Sequence, residues 1–339
     1  MNEISLDEVI SIIKGKRSDF SRQPYSLWKH FPGHDLRPED SIKAHLQFQE
    51  LVKSDLIKIS PHSKYALVDF GVEFNPNEFN KETGSYITKK YPIHDIKDWE
   101  KIEEFDPQTG ELGKQIELVQ KLSKEILNTP SMMTIFLPTM IARKLILHDK
   151  LIEHFEIDKE LVKDRLQALT NVMTDFSKIC IEAGANGLFF ATQETDLSDG
   201  WNVENWSDIA LPYDKVVIDK LRTKCEFQLL HLHGNEIFFK DVLKKLKIDA
   251  INFHAFANFP QFFSNPKMGK FFLGGLLGGL EDKFLEKISS EPISDVGPIK
   301  TLMTTLKPIS SRIIVAPNCV LPQYLTNEHL ANIITKLRA

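Results

Sequence analysis

The stretch Leu229-Leu230-His231-Leu232-His233-Gly234-Asn235 decides how the chain reads. The residues leading into it, from Glu226, are apolar enough to lie inside a sheet. Gly234-Asn235 ends that strand, and Ile237 to Leu246 then carries apolar residues at helical spacing. A buried strand that breaks into a loop and then a helix is the repeating unit of a parallel α/β sheet. Side chains two apart on a strand project to the same side, so His231 and His233 aim one way. Two imidazoles on a rigid strand tip suit a metal site, or a hydrogen-bonded pair at a sheet rim.

The same alternation continues in both directions. Upstream strands are predicted at Tyr25 to Phe31, Leu56 to Ser60, Met132 to Leu137 and Gly187 to Thr192. Downstream strands are predicted at Ala250 to His254, Lys270 to Gly275 and Arg312 to Ala316. Helical patterns separate them, from Pro38 to Lys53, Gly113 to Leu127, Met140 to His148, Lys159 to Ala183, Tyr213 to Arg222, around Pro260, Gly297 to Leu306 and Asn327 to Leu337. Tyr65 to Phe74 with Ser85 to Tyr91 reads as a hairpin excursion. About eight apolar strands joined by helices predict a single α/β domain over residues 1–339, a closed (β/α)8 TIM barrel. Ile4 to Lys16 reads as an amphipathic helix in an N-terminal arm, residues 1–23, outside the main body. No G-x-G-x-x-G or P-loop run supports a nucleotide-binding alternative, and Gly274 to Gly279 reads as a close-fitting loop.

Composition narrows the function. A net charge of -5 gives no general attraction for nucleic acid or anionic membrane. No apolar run reaches membrane-spanning length, and the first residues lack a signal peptide's basic start and apolar core. Three cysteines without an export signal argue for a reducing cytoplasm and no disulfide framework.

In a barrel the chemistry sits at the C-terminal strand ends. The candidates there are Lys29, His30, His62, Arg143, Glu194, His231, His233, His254 and Cys319. Of the cysteines, Cys180 lies among Phe176, Ile179 and Ile181 and reads as core, and Cys225 starts a strand. Cys319 follows the last strand. A thiolate with two imidazoles makes a three-ligand zinc set that leaves a position for substrate. A half-buried thiol packed as a small hydrophobe is the other reading.

These runs together resemble a known family. Leu230-His231-Leu232-His233-Gly234-Asn235, Asp249 to Phe253, Ala316-Pro317-Asn318-Cys319-Val320-Leu321-Pro322 and Leu325 to Leu330 are similar in order and spacing to the uroporphyrinogen decarboxylase superfamily. Within it they look most like the cobalamin-linked, zinc-dependent methyltransferase branch. Gly184 to Leu188, Leu211 to Tyr213 and Asp69 to Phe74 add to the likeness, which runs from about Tyr25 to the C-terminus. The resemblance implies one zinc held by His231, His233 and Cys319, and methyl transfer from a corrinoid, free or on a partner protein, to a thiol. The strand-end residues Lys29, His30, His62, Arg143, Glu194 and His254 are the expected substrate rim, and the resemblance makes His254 a further ligand or a neighbour of one. His233 stands where that branch has cysteine, which leaves one thiolate on the metal instead of two. The decarboxylases' arginine run is replaced by Leu27 to Gly33, so two carboxylate-gripping positions are lost. A metal-free lyase acting on a tetrapyrrole or small acid is the alternative activity, and a non-catalytic binding relative the third. The N-terminal arm is a candidate homodimer contact.

Overall fold

The computed structural model describes residues 4–16, 22–254, 257–258, 275–280, 285 and 312–338. The first half of the chain contains α1 (Leu6–Ile13), α2 (Pro38–Val52), β1 (Ile57–Ile59), α3 (Tyr65–Val68), β2 (Glu73–Phe79), β3 (Tyr86–Lys90), α4 (Gly110–Glu125), β4 (Ser131–Phe136), α5 (Pro138–Leu145), α6 (Leu151–Ile157) and α7 (Lys159–Glu182). The second half contains β5 (Gly187–Thr192), α8 (Val203–Asn205), α9 (Leu211–Leu221), β6 (Phe227–Leu232), α10 (Phe239–Lys245), β7 (Ala250–Phe253), β8 (Gly275–Leu280), β9 (Ile313–Pro317) and α11 (Asn327–Arg338).

Seven of the strands form one parallel sheet in the order β1-β4-β5-β6-β7-β8-β9, and β2 with β3 forms a separate antiparallel hairpin. β5, β6, β7 and β9 are buried at every position, which is why they read as unbroken apolar runs. The sheet is curled, and both of its edges reach the segment after Arg22. Tyr25 bridges Val315 of β9 in parallel, Ser26 N–H donates to the Val315 carbonyl, and Asp55 N–H donates to the Tyr25 carbonyl just before β1. The predicted first strand is thus reduced to a single bridge among the described residues. Two of its N–H groups go to side chains instead of a ladder: Tyr25 N–H to Asp55 Oδ2 at 3.0 Å and Leu27 N–H to Ser54 Oγ at 2.9 Å.

Three expectations change. The N-terminal helix does not lie outside the body. A reciprocal Ser5–Glu8 cap starts α1, and its Val9, Ile10, Ile12 and Ile13 pack with Trp28, Leu56, Met132, Phe189, Phe227, Leu229, Ala250, Ile314 and Ala316. Phe227 with Leu229 on β6, and Ile314 with Ala316 on β9, are spaced two apart and so share one face of the sheet, the face that α1 covers. Burying four such side chains favours this position by roughly 1.5–3 kcal/mol each. Tyr65 to Val68 is a helical turn, and the hairpin's first arm starts only at Glu73. Asp69 follows that turn, and its carboxylate accepts the N–H groups of Glu111 and Leu112 at the start of α4. The glycine run is largely strand rather than loop: Gly278 and Gly279 of β8 stand opposite Val315 and Ala316 of β9. The helices expected around Pro260 and from Gly297 to Leu306 lie outside the described residues, as does most of the strand expected from Lys270.

Candidate metal centre

The buried β6 run delivers His231 at the penultimate strand position and His233 one residue past the end. β9 ends at Pro317, two residues before Cys319. The donor atoms of His231, His233 and Cys319 all lie within 4.8 Å of one another. A tetrahedral ion with bonds of ~2.0–2.3 Å holds its ligands roughly 3.3–3.7 Å apart, about an ångström closer than the present limit, so a metal here would need only small side-chain rotations.

Their surroundings fit that use. His231 stacks on Phe189 at 5.5 Å, and its Nδ1 lies 2.6 Å from the Asn252 side-chain oxygen. With the proton assigned to Nδ1 for that bond, Nε2 is left as the donor atom. Asn252 also donates to the Pro317 carbonyl at 3.1 Å, which ties the His231 strand to the strand that delivers Cys319. Burial pushes the His231 pKa well below its ordinary value, helped by His233 and His254. Burial likewise brings His233 down to about 4, again with His254 adding to it. Both rings are therefore neutral at pH 7, the form that binds a metal. The Trp28 indole N–H donates to the Cys319 carbonyl and fixes the backbone there.

His254 stands beside the three, its ring edge-on to His233 at 4.7 Å and its Nδ1 3.4 Å from Asn235 Oδ1. The other expected rim residues have partners or neighbours of their own. His62 is buried, 3.0 Å from Glu111 and packed on Phe74 and Tyr86. His30 points its Nδ1 at the Pro61 carbonyl, 3.1 Å away, and burial followed by Lys58 pushes its pKa to about 3. Lys29 lines a cavity of about 560 Å³ with Phe31, Lys43 and Phe48, bounded by α2 and α11. Arg143 is only 7% exposed and is committed to carboxylates of this chain: Asp149, Asp199 at 2.7 Å and Glu194 at 3.4 Å. Glu194 is fully buried and accepts the Thr192 hydroxyl and the Gln193 N–H as well.

Two residues near the donors escaped the sequence reading. Asn252 is one, and Lys58 on β1 is the other. Lys58 is 6% exposed, with its ammonium 4.7 Å from the Phe189 ring centre, 5.6 Å from that of Trp28 and 3.3 Å from Ser60 Oγ. Burial lowers its pKa to about 8, with Cys319 acting in the opposite sense. A lone lysine in Leu56-Ile57-Lys58-Ile59, and a lone asparagine in Ile251-Asn252-Phe253, were the available signals: polar side chains inside fully apolar strands.

A parallel α/β sheet with its polar donors gathered at the strand ends defines the class of protein. The uroporphyrinogen decarboxylase (URO-D) family profile matches residues 26–334, and the chain belongs to that family. A methyltransferase from Methanosarcina mazei superimposes with a TM-score of 0.77 at 15% identity, over 99% of this chain and 98% of that one. A B12-independent methionine synthase from Shewanella sp. W3-18-1, in complex with selenomethionine, superimposes with a TM-score of 0.56 at 13% identity, over 94% of this chain and 96% of that one. At these identities the likeness is one of fold. Comparison with curated protein sequences finds no match. No helix among the described residues is long and apolar enough to cross a membrane.

Proposed function

We propose that the chain is a single-domain zinc-dependent methyltransferase, moving a methyl group from a corrinoid carrier to a thiol acceptor. The observation that carries this reading is the meeting of His231, His233 and Cys319 at the C-terminal ends of two parallel strands. Zinc bound by these three would supply the Lewis acidity that lowers the acceptor thiol's pKa. The chain's own part is positioning. Asn252 presents His231 by its outer nitrogen and Phe189 supports the ring's face, with His231 buried while His233 and Cys319 remain partly accessible to a substrate. We further propose that the sheet closes through Tyr25 into a (β/α)8 barrel whose open mouth admits a large methyl donor, free or on a corrinoid protein. One thiolate and two neutral imidazoles leave the site more electron-poor than a two-thiolate site, which extends the acceptor range toward oxygen and nitrogen nucleophiles.

The metal-free lyase has less to support it. Arg143, the arginine expected to grip a substrate acid, is already held by Asp149, Glu194 and Asp199. Mixing the zinc-loaded protein with methylcobalamin and candidate thiols, and following loss of the cobalt–carbon chromophore, tests the proposal. Zinc-dependent demethylation that disappears in Cys319→Ala is the expected result. Carbon dioxide release from uroporphyrinogen by metal-free protein would overturn it in favour of the lyase.

A further inference from the structure

Directly after His233 the backbone turns at Gly234, whose φ of +133° is a conformation that residues with side chains rarely adopt. A Cβ at Gly234 would stand 2.2 Å from Asp196 Oδ2, so the carboxylate of Asp196 occupies the space that the glycine leaves open. That carboxylate accepts the N–H of Asn235 at 3.1 Å and of Glu236 at 2.9 Å, the second and third residues after His233. It also accepts the N–H of Ser198 at 3.1 Å and the Ser198 hydroxyl at 2.7 Å, on its own loop. The loops after β5 and β6 are stitched together around it. Asp196 bridges Ile237 in antiparallel fashion, Leu197 N–H donates to the Glu236 carbonyl, and Phe238 N–H donates to the Thr195 carbonyl. On the far side Arg143 reaches Asp199 of the same loop and Glu194 beneath it. Asn258 completes the turn, donating to the Gly234 carbonyl at 2.9 Å.

We infer that Asp196 is a positioning residue for the metal centre, holding the turn that aims His233. The inference rests on the metal reading of His231, His233 and Cys319. Burial alone would raise the Asp196 pKa, but the Ser198 hydroxyl and the N–H groups of Glu236, Ser198 and Asn235 more than offset it and hold the group below its ordinary value. A carboxylate that accepts four donors from two loops fixes those loops relative to each other, because releasing either loop strands buried bonds. Among the described residues no hydrogen bond joins it to a histidine ligand; its charge favours the protonated His233 ring slightly, and its hold on the turn runs through the Asn235 and Glu236 N–H groups.

The test uses Asp196→Asn, which keeps the shape but turns an N–H₂ toward donors, and Asp199→Asn, which frees one arm of Arg143 and leaves the Asp196 bonds in place. Zinc affinity is read by chelator competition, and cobalt(II)-loaded protein gives the absorption spectrum. Asp196→Asn is expected to bind zinc about 10–100-fold more weakly. Its thiolate-to-cobalt band should remain while the ligand-field bands move, since Cys319 still binds and His233 no longer does so in the same geometry. Asp199→Asn should stay within about threefold of the wild type, the scale of a bond that does not reach the turn. In metal-free Asp196→Asn, faster hydrogen exchange at the Asn235 and Glu236 amides, with the urea midpoint still cooperative, separates loss of aim from loss of fold. Wild-type zinc affinity and an unchanged cobalt spectrum in Asp196→Asn would overturn the inference alone. A wild type that binds no zinc would overturn the metal reading and the inference with it.

Discussion

Lys58 gives the most quantitative prediction. Its ammonium is buried in the sheet's inner face and contacts two aromatic rings and one hydroxyl. No ion pair to a carboxylate is found for it among the described residues. Burial lowers its pKa from 10.5 to about 8, so folding is opposed by the charged form. The sign follows from linkage. The unfolded chain holds the proton more tightly, so the cost is complete below pH 8 and disappears as pH rises from about 8 toward 10.5. At pH 7 it amounts to roughly 3 kcal/mol, and at pH 9.5 to roughly half that. Lys58→Met removes the charge, keeps the volume and loses one long bond to Ser60, a loss of about 1 kcal/mol. The variant is therefore expected to be about 2 kcal/mol more stable than the wild type at pH 7. The assay is urea unfolding of metal-free protein at pH 7 and pH 9.5, with stabilities compared at a common slope. The gap should narrow by about 1–2 kcal/mol at the higher pH. A Met variant less stable at pH 7, or a gap that does not change with pH, would refute the reasoning.

Other outcomes follow from the same structure. Ile12→Ala in α1 is expected to lose about 2–5 kcal/mol in urea unfolding, because the side chain is fully buried against the inner face; a loss under about 0.5 kcal/mol would return the helix to the role of a loose arm. Asn252→Leu should weaken zinc binding about 10-fold or more in chelator competition while leaving one sulfur on the metal, since it frees the His231 ring and the Pro317 carbonyl together. His45 accepts the Ser60 N–H and burial brings its pKa to about 4. The stability this neutral ring contributes is complete above about pH 6.5 and falls as pH drops toward 4. His45→Gln should flatten that part of the metal-free protein's stability profile, and an unchanged slope would count against the assignment.

What could be read from the sequence follows from geometry. β5, β6, β7 and β9 are buried on both faces, so their apolar runs mark them without help from neighbours. The period of two along a strand was enough to put His231 and His233 on one side, and Cys319 stood out as the thiol following a strand. Lys58 and Asn252 were not legible, because a single polar residue in an apolar strand does not say which face will be the inner one. Arg143 looked like a substrate grip because sequence shows a guanidinium near a strand end. It does not show that Asp149, Glu194 and Asp199 fold back onto it. The amphipathic pattern of α1 says that the helix buries a face, and only the curled sheet says against what. The segment at Tyr25 reads as a strand by composition, yet its neighbours on one side offer side-chain oxygens instead of a ladder.

The most direct test of the metal reading is X-ray absorption at the zinc edge on protein purified without chelator, with metal content measured on the same samples. About one zinc per chain is expected, with two nitrogens at ~2.0–2.1 Å and one sulfur at ~2.3 Å, and with the sulfur and most of the metal lost in Cys319→Ala. A wild type without zinc, or a Cys319→Ala protein with the same zinc in the same shell, would contradict it.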